Sequence, residues 1–158
     1  ETGISVTLRN TMKNSPYLVQ ASVSTEQSKV VAAPFVVTPP LFRLEPQSTN
    51  QIRIAFKGSA LPRDRESVFY FNATGIPASS SSWSEQQTAG VRGSAQFGVG
   101  NIIKLFFRPN GLKMTSDEAQ KNLTFSQVAN GLKISNTSPY FVSFASLQVA
   151  GCRKKDSS

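Results

Sequence analysis

The sequence predicts an all-β protein of the sandwich type, and three observations carry that expectation. Short segments rich in Val, Ile, Thr, Phe and Tyr are separated by clusters of Asn, Ser, Pro and Gly, the texture of strands joined by tight turns. Within several of those segments the apolar residues recur at every second position, which puts them on one face of a strand because successive side chains point to opposite sides. At 158 residues and 39% hydrophobic content, the chain has enough apolar surface for ordinary globular cores, as one large domain or two small ones.

The first strand is expected over 4–10, where Ile4, Val6 and Leu8 share a face. Asn14, Ser15 and Pro16 then signal a turn before a second strand at 17–23. An extended run at 35–42 is interrupted by Thr38, Pro39 and Pro40. Proline cannot donate to a ladder, so this run is confined to an edge or to a switch between sheets, and either X–Pro bond is open to the cis form. A strand at 51–56 repeats the alternation with Ile52, Ile54 and Phe56, and another follows at 67–75. The Ser-rich stretch 78–93 reads as a loop, with Trp83 as a local packing anchor.

The stretch 94–109, SAQFGVGNIIKLFFRP, is the most informative. Ala95, Phe97, Val99, Ile103, Leu105 and Phe107 have the same parity, interrupted by Asn101, while Lys104 lies on the other face. Such a strand must bury its apolar face against its own domain or another polypeptide. Past Pro109, Asn110 and Gly111 turn the chain, 115–120 forms a short helical turn capped by Thr115 or Ser116, and strands are expected at 123–128, 132–135 and 140–149. Asn130 and Gly131 supply a hairpin signal between the first two of these. The expected division is therefore 1–109 and 110–158. Three strands do not close a sandwich, so the second domain reads as incomplete and the natural protein as longer at its C-terminus.

Composition narrows the function. Lys and Arg outnumber Asp and Glu by 17 to 9, a net charge of +8 that suits an acidic partner, a membrane surface or simple solubility. The cations are dispersed, which argues against a dedicated nucleic-acid groove. With no His and only Cys152 as a thiol, neither a His/Cys metal site nor a Ser/His/Asp or Cys/His catalytic set is available, so no enzyme, metal or cofactor is expected. No apolar run approaches the roughly 18 residues of a membrane span, and no direct membrane insertion is expected.

Four segments then point one way: NSPYLVQASV at 14–23, PFVVTPPLFRLEP at 34–46, LPRDRESVFYFNATGIP at 61–77 and IIKLFFRP at 102–109, with a weaker fifth, SNTSPYFVSFASL, at 135–147. In that order they closely resemble the PapD-like periplasmic pilus chaperones. The resemblance implies two immunoglobulin-like domains in a boomerang, the first strand of the first domain not represented here. It also implies a non-enzymatic periplasmic role: binding fimbrial subunits that lack their last strand, completing their fold with the chaperone's long strand, and delivering them to an outer-membrane usher. By the same resemblance Ala95, Phe97 and Val99 match the donor positions, with Ile103 and Phe107 nearer the chain's own core. Lys104 matches the lysine that anchors the subunit's terminal carboxylate, and Glu66 with Arg108 match a charged pair at the domain junction. The family's partner arginine lies on the first strand, and none of Arg9, Arg43 or Arg53 occupies its motif. Self-association through the donor strand is a further expectation.

Two other readings compete. An immunoglobulin-like adhesion or interaction module shares the strand pattern but gives no reason for IIKLFFRP and LPRDRES to occur together. A single-stranded nucleic-acid binder is suggested by the charge and by Phe106 and Phe107 beside Arg108, yet adjacent strand residues point to opposite faces and make a poor stacking platform. No nucleic-acid partner is therefore expected.

Overall fold

The computed structural model describes residues 3–27, 31–78, 99–149 and 152–155. They form eleven strands and one short helix: β1 (Gly3–Arg9), β2 (Tyr17–Ser24), β3 (Phe35–Thr38), β4 (Leu41–Leu44), β5 (Thr49–Phe56), β6 (Ser67–Pro77), β7 (Val99–Phe107), α1 (Ser116–Lys121), β8 (Thr124–Val128), β9 (Gly131–Ser135), β10 (Ser146–Val149) and β11 (Cys152–Lys155). The chain divides into two compact units, Glu1–Ala60 with Phe69–Leu105, and Leu61–Val68 with Phe106–Ser158. The segments 61–68 and 106–109, expected in the first domain, group with the second unit because the buried Glu66 bonds to groups there.

The first unit is the expected antiparallel sandwich, with sheets ordered β1-β5-β3 and β4-β2-β6-β7. Alternation sets the register: Ile4 lies opposite Ile54 and Val6 opposite Ile52, while Ala21 faces Ala73 and Val23 faces Phe71. Paired residues share a face, so each sheet presents one apolar surface. Ile52, Ile54, Val19, Ala21, Phe69 and Phe71 form the buried core. Phe35 of β3 joins the two sheets, its ring 4.9 Å from that of Phe69 in an edge-on contact and 5.5 Å from that of Phe56.

The run 35–42 does switch sheets. β3 forms the edge of one sheet by pairing with β5, and β4 forms the edge of the other by pairing with β2. The bend lies at the cis Thr38–Pro39 bond, where two residues without an N–H leave no ladder donor unmade. Asn10, a residue the sequence did not single out, closes the turn after β1. Its buried side-chain amide donates to the carbonyls of Ser15 (2.8 Å) and Leu44 (3.2 Å), and its oxygen accepts from the Met12 N–H.

In the second unit, Thr115 is the N-cap of α1. Its hydroxyl accepts from the Glu118 N–H, and the Glu118 carboxylate accepts from the Thr115 N–H at 2.8 Å, a reciprocal capping box. β8 and β9 pair as the expected hairpin, Val128 opposite Gly131. The expected strand 140–149 is a strand only over Ser146–Val149. Before it, the Pro139 carbonyl and the Phe141 N–H bond to Glu66 in place of a neighbouring strand. β11, the basic CRKK run, was not expected as a strand and pairs with β10.

Ile52→Ala is expected to destabilise the chain by about 2–4 kcal/mol in urea unfolding, as a fully buried aliphatic truncation does; Ile103→Ala, on a half-exposed side chain, should cost well under half of that. The capping box holds the Glu118 carboxyl below the ordinary glutamate range, chiefly through the Thr115 backbone N–H. A carboxylate whose folded pKa is depressed stabilises above its unfolded pKa and loses that contribution as pH falls through the folded value. A carbon-detected NMR titration should therefore place the Glu118 midpoint low, and Thr115→Ala, which removes the hydroxyl's bond to the same carboxylate but keeps the backbone N–H, should raise it only part of the way.

Candidate functional site

β7 lies at the edge of the four-stranded sheet, paired with β6 on one side and with no described strand on the other. An edge strand exposes a row of backbone donors and acceptors, which proteins ordinarily protect with charge, proline, a bulge or a cover. β7 carries a single charge, Lys104, and no proline. Val99 is 55% exposed and Ile103 51%, with Ile102 and Phe106 also exposed. Apolar side chains on both faces and an open ladder make β7 a template for another strand.

Lys104 is exposed and forms no ion pair with a described residue. Ala95 and Phe97 lie outside the described residues, as do most of the 78–93 loop and Trp83. Ile103, placed by the sequence reading near the chain's own core, is half exposed; Leu105 and Phe107 are the half-buried residues of that face. An edge strand has no neighbour on its outer side to cover Ile103, whereas the end near Phe107 is better enclosed.

Val99 and Asn101 also border a cleft of about 340 Å³ in the first unit, lined as well by Leu8, Arg9 and Met12. Tyr17 crosses β6 there. A Cβ at Gly75 would come within 3.1 Å of the Tyr17 ring, so glycine permits that crossing. This cleft is not legible from sequence, because its lining is drawn from segments distant along the chain.

A second arrangement lies within the second unit. β6 and β7 are antiparallel neighbours, so Glu66, just before β6, comes beside Arg108, just after β7. Arg108 Nε donates to Glu66 Oε1 at 2.7 Å, and the Phe141 N–H donates to Oε2 at 2.9 Å. The Glu66 N–H donates to the Pro139 carbonyl at 2.8 Å. The Glu66 side chain is 2% exposed and that of Arg108 56% exposed, so the carboxylate is withdrawn from water while the guanidinium keeps access to it. The guanidinium also sits 5.0 Å from the centre of the buried Tyr140 ring, whose hydroxyl donates to the Met114 carbonyl at 2.6 Å. Strand patterning alone places Tyr140 at the start of a strand and not beside Arg108. Asn136 and Ser138 ahead of Pro139 form the turn that delivers it, the Asn136 amide donating to the Tyr140 carbonyl at 2.7 Å.

Comparison with known proteins places these features in a family. Residues 1–113 match the family described as pili and flagellar-assembly chaperone, PapD N-terminal domain, and residues 118–157 match the pili assembly chaperone PapD, C-terminal domain. The chain is 36% identical over 151 residues to a probable fimbrial chaperone protein, ElfD, of Escherichia coli K12, covering 96% of this chain and 61% of that protein. It is likewise 36% identical over 151 residues to the chaperone protein PapD of Escherichia coli, covering 93% and 59%. The E. coli chaperone DraB superposes with a TM-score of 0.81 at 35% identity, covering 96% of this chain and 68% of that one. A chain of the Salmonella enterica SafA pilin–SafB chaperone complex gives 0.80 at 32% identity, covering 96% and 69%. The chain thus spans about three fifths of the length of the curated relatives it matches.

Removing Arg108 leaves a buried carboxylate with one backbone donor. Arg108→Met is therefore expected to cost about 1.5–3 kcal/mol, the range for hydrogen bonds to charged groups. Glu66→Gln, which keeps an acceptor for Phe141, should cost less. The reverse order of urea midpoints would mean that the carboxylate does not depend on Arg108.

Proposed function

Since the chain belongs to the family of PapD-like pilus-assembly chaperones, we propose that it binds and stabilises fimbrial subunits in the periplasm by donating β7, and passes them to an outer-membrane usher. The role is a non-enzymatic one. The observation that carries this reading is the one-sided pairing of β7. A subunit strand laid along its outer side takes up the open N–H and C=O groups, while alternate side chains enter the subunit's core. Ala95, Phe97 and Val99 are the residues assigned to that insertion. Each large apolar side chain so buried contributes about 1.5–3 kcal/mol by transfer.

Lys104 is assigned to the subunit's terminal carboxylate. A lysine already committed to an internal acid would be a poor anchor, and Lys104 has no such partner among the described residues. The charge-assisted bond fixes which residue of the incoming strand meets which residue of β7, because a slip by one residue turns every side chain to the other face. Glu66 and Arg108 are assigned to the domain junction as orientation residues and not as ligand contacts; the burial of the Glu66 carboxylate supports a structural role. The edge beside Lys104, unpaired among the described residues, favours this reading over an immunoglobulin-like adhesion module. Self-association follows from the same open ladder, since a second copy of β7 is also a strand.

The test is co-expression with a fimbrial subunit that lacks its own last strand. Lys104→Ala, Val99→Asp and Phe97→Asp should each abolish or sharply reduce copurification, while the thermal midpoints of the Lys104 and Val99 variants, both at exposed positions, stay within about 2 °C of the parent. Undiminished capture by Lys104→Ala would remove the carboxylate anchor, and undiminished capture by both Asp variants would remove strand donation.

A further inference from the structure

The second unit contains a cleft that neither strand donation nor the Glu66–Arg108 pair uses. Loops at 63–65, 111–113 and 136–139 enclose about 610 Å³, within the roughly 300–1,000 Å³ typical of ligand clefts. Its walls are tied from below by buried groups. Glu66 links the first loop to the third through the Pro139 carbonyl and the Phe141 N–H, and the Tyr140 hydroxyl links the third loop to Met114, next to the second. The cleft is thus held in shape before any ligand arrives.

Its charge is one-sided. Arg65 forks over Asp64, with Nη2 3.0 Å from Oδ2 and Nε 3.3 Å from Oδ1, so the one acid in the lining is already neutralised. That fork holds the Asp64 carboxyl below the ordinary aspartate range. Arg63 and Lys113 are exposed and form no ion pair with a described residue. The half-buried Leu112 and Pro139 add an apolar surface to the same cleft.

We propose that this cleft binds a short acidic segment of a partner polypeptide, its carboxylates on Arg63 and Lys113 and an apolar side chain against Leu112 and Pro139. Two free cations on a preformed frame call for fixed anions. The apolar surface calls for more than an anion, because a free phosphate leaves Leu112 and Pro139 without a counterpart. The overall charge of +8 draws acidic partners toward the chain in the first place.

The experiment is an amide-shift NMR titration of the full chain with the blocked peptide acetyl-Glu-Leu-Glu-amide, with acetyl-Gln-Leu-Gln-amide and inorganic phosphate as comparators. The acidic peptide should shift the amides of Gly111, Lys113, Thr137 and Ser138 to saturation, and the neutral peptide should not. R63Q/K113Q should weaken the binding at least tenfold with an unchanged spectrum elsewhere, whereas Lys104→Ala should leave it unaltered, separating this cleft from the β7 anchor. Equal binding of the neutral peptide would overturn the proposal. So would phosphate binding as tightly with the same shifts, or peptide binding lost in Lys104→Ala and kept in R63Q/K113Q.

Discussion

Two adjacent prolines tie the two sheets edge to edge along one side of the sandwich, and among the described residues nothing ties them so along the other. Pro39 and Pro40 end β3 in one sheet and deliver β4 into the other, so the edges on that side are joined by a two-residue link. So short a link brings those edges together and stacks the inner faces where Phe35 meets Phe69. The other two edges, β1 and β7, have no such link. There the cleft bordered by Leu8 and Val99 lies, and there Ile4, Ile102 and Ile103 stand exposed. Proline in the link withholds two ladder donors at that corner, whereas β7 carries no proline and a single charge.

The second unit meets a different constraint. A carboxylate taken out of water needs donors, and Glu66 finds them in a guanidinium and a backbone N–H. The consequence reaches beyond the ion pair. The backbone around Pro139–Phe141 is satisfied by a side chain and its own amide in place of a sheet, which leaves this stretch irregular and buries Tyr140 against Arg108. One buried acid thereby ties the 63–65 loop to the 136–139 loop.

What was legible in the sequence was whatever depends on parity. Ile52 and Ile54 on one face and the break at Pro39 and Pro40 follow from side-chain alternation and from proline's missing N–H. The family motifs added Lys104, and also Glu66 and Arg108, a pair whose separation along the chain hides their contact. What remained illegible depends on specific side-chain-to-backbone bonds between distant segments. Asn10 reaching Leu44 is one case, and Glu66 reaching Phe141 is another. The second converts an apparent strand at 140–149 into an anchor followed by a shorter strand. Ile103 shows the limit of parity itself: alternation gives the face but not whether a neighbouring strand exists to cover it.

The edge of β7 has a capacity as well as a shape. A strand edge offers one ladder, so occupants exclude one another, and every complex in which β7 is engaged draws on the same pool of free chain. A second copy bound there and a client strand bound there are then competitors. The concentration of free chain rises only as the square root of the total when self-pairing dominates, while a client must displace a partner before it binds. Pairing among idle copies would hide the exposed Val99 and Ile103 from adventitious strands and would raise the affinity a client needs, coupling protection to selectivity through mass action.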